Sequence, residues 1–201
     1  MTRLLDFVTC IGTTKPCVAR QNSYTNPCMG MGKGQTALRK SVFSEDENLP
    51  VIRCAYTEDL DAIYALEYLV FGQDAYGPAK LRAFHARFGD LVLVACDVDG
   101  VIVGYAIGGG RANPVNEIKD SAWVNSLAVH PGRRGCGIAG MLLDTLLDAF
   151  VARGLCRAMV YTEEWRTPAI RLYRSRGFVP ACDPHPSGLA RVTLAASLIC
   201  R

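Results

Sequence analysis

Leu127 to Leu143 reads LAVHPGRRGCGIAGMLL, and no other stretch of this chain constrains its fold as much. A β-type apolar run ends at His130-Pro131. A turn rich in glycine and arginine follows, and an apolar helix pattern begins at Ile138. A helix normally opens on Ser, Thr, Asp or Asn, whose side chain takes one of the first N–H groups. Here Gly135, Cys136 and Gly137 stand at that point, so those N–H groups need partners from elsewhere. Bare N–H groups beside Arg133 and Arg134 make an anion site suited to a phosphate.

The remaining chain bounds the answer. With 201 residues, half of them hydrophobic and a fifth charged, it reads as a globular chain with one sizeable core. The net charge of +3 is uneven: residues 1–40 carry six Lys/Arg against one Asp, and the remainder is slightly acidic. A basic surface for nucleic acid is therefore absent from the main domain. No apolar run reaches the ~18 residues of a membrane span. The opening MTRLLDFVTCIG lacks the cleavage pattern of a signal peptide, so a cytoplasmic location is expected. Nine scattered cysteines form no CxxC pair, and no His sits at zinc-ligand spacing. No metal is expected, and reduced thiols are.

Residues 1–48 lack periodicity and are read as a disordered or loosely attached basic extension. Within them, GMGKGQT fails as a P-loop, because Pro27 holds the first glycine's place and Gly34 follows Lys33. The domain is placed at 49–201. A strand is predicted over Val51–Tyr56, then a helix capped by Thr57 with Leu60, Ile63, Leu66 and Val70 on its apolar face. A loop or second short helix covers Phe71 to Phe88. Strands Leu91–Val98 and Val101–Gly108 are joined at Asp99-Gly100, a hairpin signal. After a polar loop at 109–121 come a strand over Trp123–Val129, a helix over Ile138–Arg153 closed by Gly154, and a strand over Ala158–Thr162. A helix capped by Thr167 runs to Arg176, and Ala190–Leu198 is the last strand. The order predicts an α/β (α+β) fold, with a mixed, largely antiparallel central sheet, one βαβ crossover and helices on both faces.

Gly135 to Gly140 also spells GxGxxG, and Glu163 lies where a dinucleotide fold would use an acid on the ribose. Three features oppose that reading. Five residues, His130 to Arg134, separate strand from glycines. An antiparallel hairpin precedes the motif. Only 38 residues follow Glu163, too few for a second nucleotide half. Instead the stretch resembles the acetyl-CoA signature of the GNAT acetyltransferase family, Arg/Gln-x-x-Gly-x-Gly/Ala, carried by Arg134, Gly137 and Ala139. A second segment, Ala169 to Phe178, resembles that family's AxxLYxxxGF motif. The resemblance spans roughly residues 50–180.

The resemblance implies an acetyl-CoA-dependent N-acetyltransferase with the GNAT fold. Acetyl-CoA, a co-substrate, would lie on Leu127, Ala128, Val129, Arg134, Gly135, Cys136, Gly137, Ile138, Ala139 and Gly140. Glycines at the helix start let N–H groups approach the pyrophosphate, and a solvated charge and a phosphate contact both suit Arg133. In the family the strand before the motif pairs with pantetheine, and the backbone N–H of Val129 takes the oxyanion. Tyr173 occupies the general-acid position, and a Tyr O–H of pKa ~10 can protonate a departing thiolate.

The general base stays open. Trp123, Val124, Asn125 and Ser126 offer no carboxylate where many relatives place a Glu. Glu163, Glu164, Glu117, Asp120 and a water chain touching Asn125 or Ser126 are the candidates. Arg166 stands where the family has Asn. Phe71 to Tyr76 lies where relatives form the acceptor wall, and Asp183 to Pro186, with His185, could border the amine. The acceptor is a primary amine of a small molecule or a peptide N-terminus, and the resemblance allows a homodimer. A non-catalytic acyl-CoA-binding or partner-binding domain is the alternative from another class.

Overall fold

The computed structural model describes residues 49–110, 121–181 and 191–198. The extension, the loop at 111–120 with Glu117 and Asp120, and the segment with Asp183 and His185 lie outside the described residues. Strands β1 (Val51–Cys54), β2 (Val92–Cys96), β3 (Ile102–Gly109), β4 (Ser121–Val129), β5 (Arg157–Glu163), β6 (Val179–Pro180) and β7 (Arg191–Ser197) form one sheet. Their order is β1-β2-β3-β4-β5-β7-β6. Among the described residues only β4 and β5 run parallel, joined through helix α3 (Ile138–Ala152). Helices α1 (Leu60–Phe71) and α2 (Pro78–Phe88) precede β2, and α4 (Thr167–Arg174) follows β5. The mixed, largely antiparallel architecture is the one the element order predicted.

Each face of the sheet carries its own core. On one, α3 places Leu142, Leu143, Leu146, Leu147 and Phe150 against β2, β3 and β4, and all five are fully buried. On the other, Leu60, Ile63 and Leu66 of α1 and Leu81 and Phe84 of α2 meet Val94, Tyr105 and Ile107. Strand alternation explains the split, since successive residues of a strand point to opposite faces. Thus Val92 and Val94 face α1 while Leu93 and Ala95 face α3. Glycines let α3 come close: a Cβ at Gly108 would stand 2.6 Å from Leu146 and 2.7 Å from Phe150.

One irregularity matters for function. Ile107 pairs with Ser126 and Gly108 with Val124, so Asn125 is an extra, unpaired residue in β4. Such a bulge shifts the alternation by one. Ala122 and Val124 face α3 before it, whereas Ser126 and Ala128 face α1 after it.

Local details correct several expectations. Thr57 does not cap α1: a 3₁₀ turn over Thr57–Asp59 leads in. There Asp59 accepts from the Tyr56 N–H at 2.7 Å and pairs with Arg53. Burial raises the Asp59 carboxyl, and the hydrogen bonds from Arg53 and Tyr56 outweigh it and leave its pKa lowered. Likewise Arg166, not Thr167, stands at the N-cap of α4. The β2–β3 connection is longer than the Asp-Gly pair suggested. The Asp97 N–H donates to the Val101 carbonyl and the Gly100 N–H to the Asp97 carbonyl, with Gly100 at φ +77°. That is a three-residue loop with glycine in the left-handed position.

Gly154, at φ +74°, ends α3 as expected. The Leu155 N–H returns to the Phe150 carbonyl and the Gly154 N–H to that of Val151, a closure that satisfies the last carbonyls. Among the described residues no helix is long and apolar enough to cross a membrane.

Candidate active site

β4 and β5 pair only between Ser121–Val124 and Arg157–Val160. Both strands continue, β4 to Val129 and β5 to Glu163, so their ends splay and leave a cleft beyond the bulge. The hydrogen-bond phase shows which groups face it. The His130 N–H donates to the Val103 carbonyl at 2.8 Å, which makes 103/130 a bonded pair. In an antiparallel ladder bonded pairs alternate with unbonded ones. Val129 and Leu127, opposite Gly104 and Ala106, therefore turn their N–H and C=O groups away from β3 and toward the cleft. Ala128, opposite Tyr105, turns its backbone to β3. Of the three residues expected along pantetheine, only Leu127 and Val129 offer the cleft a backbone edge.

Beyond β4, His130 caps a 3₁₀ turn (Pro131–Arg133) by accepting the Gly132 N–H at its Nδ1. Gly135 and Gly137 follow at φ +82° and +76°, in the left-handed region that disfavours other residues. Gly137 is the N-cap of α3, and no side chain caps that helix. A Cβ at Gly135 or Gly137 would meet nothing within 4 Å, so the surface above them is open to a ligand. Arg134 is exposed, and its Nε donates to the Val129 carbonyl at 3.4 Å. Arg133 instead pairs with Asp97 at 2.8 Å and stays largely solvated. Ile138 is buried in the core, with its N–H at the helix start, and Ala139 is partly buried. Gly140 is buried too. Its missing side chain makes room for the Arg176 guanidinium, which both Asp144 oxygens hold at 3.2 Å. Cys136 is exposed, a free thiol.

Tyr173 sits on α4, 5 % exposed. The AxxLYxxxGF pattern has a physical basis here. Gly177 at φ +85° turns the chain back, and the Phe178 N–H reaches the Tyr173 carbonyl at 3.1 Å. The two rings then pack with centroids 5.4 Å apart. Burial pushes the Tyr173 hydroxyl well above its usual range, and the Arg166 guanidinium pulls it partly back. Tyr173 therefore stays protonated across neutral pH.

On the opposite wall, Phe71 ends α1 and a 3₁₀ turn (Gly72–Asp74) leads to Tyr76, whose hydroxyl donates to the Asn125 carbonyl at 3.1 Å. Beneath lies Glu67, 2 % exposed. Its Oε1 accepts the Tyr76 N–H at 3.0 Å and its Oε2 the Ser126 hydroxyl at 2.9 Å. Ser126 is in turn 2.9 Å from the Tyr105 hydroxyl. Burial raises the Glu67 carboxyl, and the hydrogen bonds from Tyr76 and Ser126 offset part of that. The sequence reading missed Glu67, though a signal existed: Leu60, Ile63, Glu67 and Val70 share one helical stripe.

The proposed routes for a proton narrow accordingly. The Ser126 hydroxyl faces α1 and is committed to Glu67. Glu163 lies 2.5 Å from Arg166, and Glu164 is exposed. Asn125 Nδ2 reaches the Trp123 and Gly110 carbonyls at 3.4 and 3.5 Å. Among the described residues no cluster of three or more His, Cys, Asp or Glu has metal-ligand spacing.

Comparison with known proteins gives the family and the fold. Residues 57–178 match the acetyltransferase (GNAT) family. A mycothiol acetyltransferase of Thermomonospora curvata is 32% identical over 108 residues, 53% of this chain and 34% of that protein. The chain thus spans about a third of that relative's length. Among solved structures, a phosphinothricin acetyltransferase from Sinorhizobium meliloti in complex with AcCoA superposes with a TM-score of 0.63 at 20% identity, covering 74% of this chain and 88% of that one. The ribosomal-protein-S18-alanine N-acetyltransferase of Escherichia coli gives 0.57 at 22% identity, over 75% and 94%. These likenesses concern the fold.

Proposed function

The chain belongs to the acetyltransferase (GNAT) family, and on that premise we propose that it moves an acetyl group from acetyl-CoA to a primary amine by direct attack in a ternary complex. One observation carries the reading. The uncapped, glycine-opened start of α3 lies one short turn beyond a strand whose Val129 N–H faces the splayed cleft. The first is suited to a pyrophosphate and the second to a thioester oxygen.

In this reading the CoA pyrophosphate lies on the N–H groups from Gly135 to Gly140, with Arg134 beside it. Pantetheine runs along Leu127 and Val129. The amine lone pair attacks the thioester carbonyl, and the Val129 N–H donates to the oxygen as charge develops there. The new C–N bond forms, the C–S bond breaks, and the departing thiolate takes a proton from Tyr173. A thiol of pKa ~8.5 is a fair leaving group. Burial keeps the Tyr173 phenol protonated but also weakens it as an acid, so the transfer is completed as Tyr173 regains a proton from solvent. The amine's proton leaves to water, since Glu163 and Glu67 are both engaged by other groups. The acceptor is a small-molecule amine or a peptide N-terminus, and relatives named for both kinds share the fold.

One observation favours a second reading, a non-catalytic acyl-CoA-binding domain: β4 brings no carboxylate to the cleft at Asn125 or Ser126. Thiol release from acetyl-CoA, measured over a panel of amines and peptides, separates the two. Turnover of any amine, with the acetylated product seen by mass spectrometry, supports transfer. Tight acetyl-CoA binding with no turnover in the whole panel supports the second reading.

A further inference from the structure

Arg166 crosses the open end of the cleft. It belongs to the turn between β5 and α4, yet its guanidinium carbon lies 5.0 Å from the ring centroid of Phe71, at the end of α1. The ring of Trp165 lies 4.6 Å away, and Trp165 is itself 71 % exposed at the rim. The Nε is buried, and Glu163 Oε2 stands 2.5 Å from it, an ion pair whose angle is not that of a hydrogen bond. Two rings and a carboxylate thus fix the plane of the guanidinium, whose side chain is 22 % exposed. Among the described residues its two Nη groups donate to nothing.

A guanidinium is a rigid fork that matches an oxyanion with two parallel hydrogen bonds. Here the fork is oriented in advance, which removes much of the entropy cost of using it. It also stands beside the reacting centre. Arg166 and Tyr173 are seven residues apart at the start and end of α4, two turns on one face, and the charge of Arg166 is felt at the Tyr173 hydroxyl.

We propose that Arg166 receives an oxyanion of the acceptor, so that the substrate is an amine that also carries a carboxylate or a phosphate. The inference rests on the acetyl-transfer reading and deepens it. Glu163 holds the Nε edge and leaves the Nη edge for the substrate. Docking the anion there sets the amine at a fixed distance from Tyr173, and Phe71 and Trp165 keep water from the faces of the guanidinium.

The test uses matched pairs of acceptors: free L-amino acids against their carboxamides, and phosphoethanolamine against ethanolamine. Wild-type protein is expected to use the anionic member of one pair type about tenfold better or more in kcat/KM, as the loss of a charge-assisted hydrogen-bond pair implies. The pair type that responds tells carboxylate from phosphate. Arg166→Gln should remove the preference through KM while leaving the acetyl-CoA Kd unchanged, and Arg166→Lys should keep part of it. Equal use of both members by wild type overturns the proposal. So does an Arg166→Gln protein that keeps the preference, or one whose only defect is weaker acetyl-CoA binding.

If acetyl-CoA binds and no amine is turned over, the transfer reading has failed, and the receptor is judged by ligand-observed NMR on the CoA complex. Selective binding of the anionic members, lost in Arg166→Gln, supports it. Binding without selectivity, or none, overturns it.

Discussion

The Ser126 hydroxyl donates to Glu67 Oε2 at 2.9 Å, joining β4 to α1 across 59 residues of sequence. The link falls one residue past the bulge, so it exists because Asn125 shifts the strand's alternation. Through Oε1 the same carboxylate holds the Tyr76 N–H, and the Tyr76 hydroxyl holds the Asn125 carbonyl. Lys80 completes the cluster, its Nζ 3.8 Å above the Tyr76 ring. The turn after α1 and the bulged strand are thereby fastened to each other at two points.

Removing Glu67 should loosen that joint. Glu67→Ala removes the buried acceptor of the Tyr76 N–H and of the Ser126 hydroxyl, at a cost of about 1–3 kcal/mol in urea unfolding. Glu67→Gln can accept and donate in the same places and should fold normally. The pH dependence separates them further. Burial raises the Glu67 carboxyl above its ordinary value of 4.5, so the protonated form is favoured in the folded state. Its contribution is fully present below pH 4.5 and is lost as pH rises through the folded value. Glu67→Gln has no such loss. Its stability relative to wild type should therefore improve between acid and neutral pH, and a flat difference would contradict this environment.

Tyr173→Phe tests the acid. The ring keeps its contact with Phe178 and the hydroxyl donates to no described residue, so the fold and the acetyl-CoA Kd should be unchanged. Acetyl transfer should fall by about 10²-fold in kcat, the usual scale for a general acid. Because burial holds the phenol well above its ordinary value, Tyr173 does not titrate in the working range. Any basic limb in the pH–rate profile should survive in Tyr173→Phe unchanged.

Much of this was legible because local rules and the global fold agree. The α3 stripe, its Gly154 stop and the turn at Gly177 each follow from residue type alone. The glycine turn was legible as a helix start without a side-chain cap before any family was in view. The bulge was not legible: Ala122, Trp123 and Val124 are all buried, so no change of face shows in the letters AWVNSLAV. Nor was Arg133, whose partner Asp97 lies 36 residues away on a hairpin whose loop length the Asp-Gly pair misjudged. Glu67 sat in plain sight on an apolar stripe, but its partners come from a loop and a strand that periodicity does not connect.

The α3 entrance is open to substitution without steric clash, so its variants report on conformation and ligand. Gly137→Val forces a β-branched residue to φ +76°, costing about 1–2 kcal/mol and moving the helix start. The acetyl-CoA Kd should rise together with a lower melting temperature. Arg134→Ala should raise the Kd by about tenfold at low salt with no change in melting, consistent with one lost charge-assisted contact. Higher salt should shrink the Arg134→Ala effect and leave that of Gly137→Val in place. A salt-independent Arg134→Ala would place Arg134 away from the phosphates.

Gly108 offers a test of how closely α3 must approach the sheet. In Gly108→Ala the new methyl would lie 2.6 Å from Leu146 Cδ1 and 2.7 Å from two atoms of the Phe150 ring, all fully buried. Neither neighbour is a flexible chain end with somewhere to go. Overpacking of this kind costs about 1–3 kcal/mol. On the proposal that acetyl-CoA docks at the start of α3, a shift of the whole helix would weaken its binding, whereas local strain at Phe150 would not. Phe150→Leu in the Gly108→Ala background provides the control, since it vacates the atoms that clash. Residues in contact are expected to couple by about 0.5 kcal/mol or more, so the double variant should be more stable than the two single changes predict. Strict additivity in urea unfolding would show that the methyl is accommodated elsewhere.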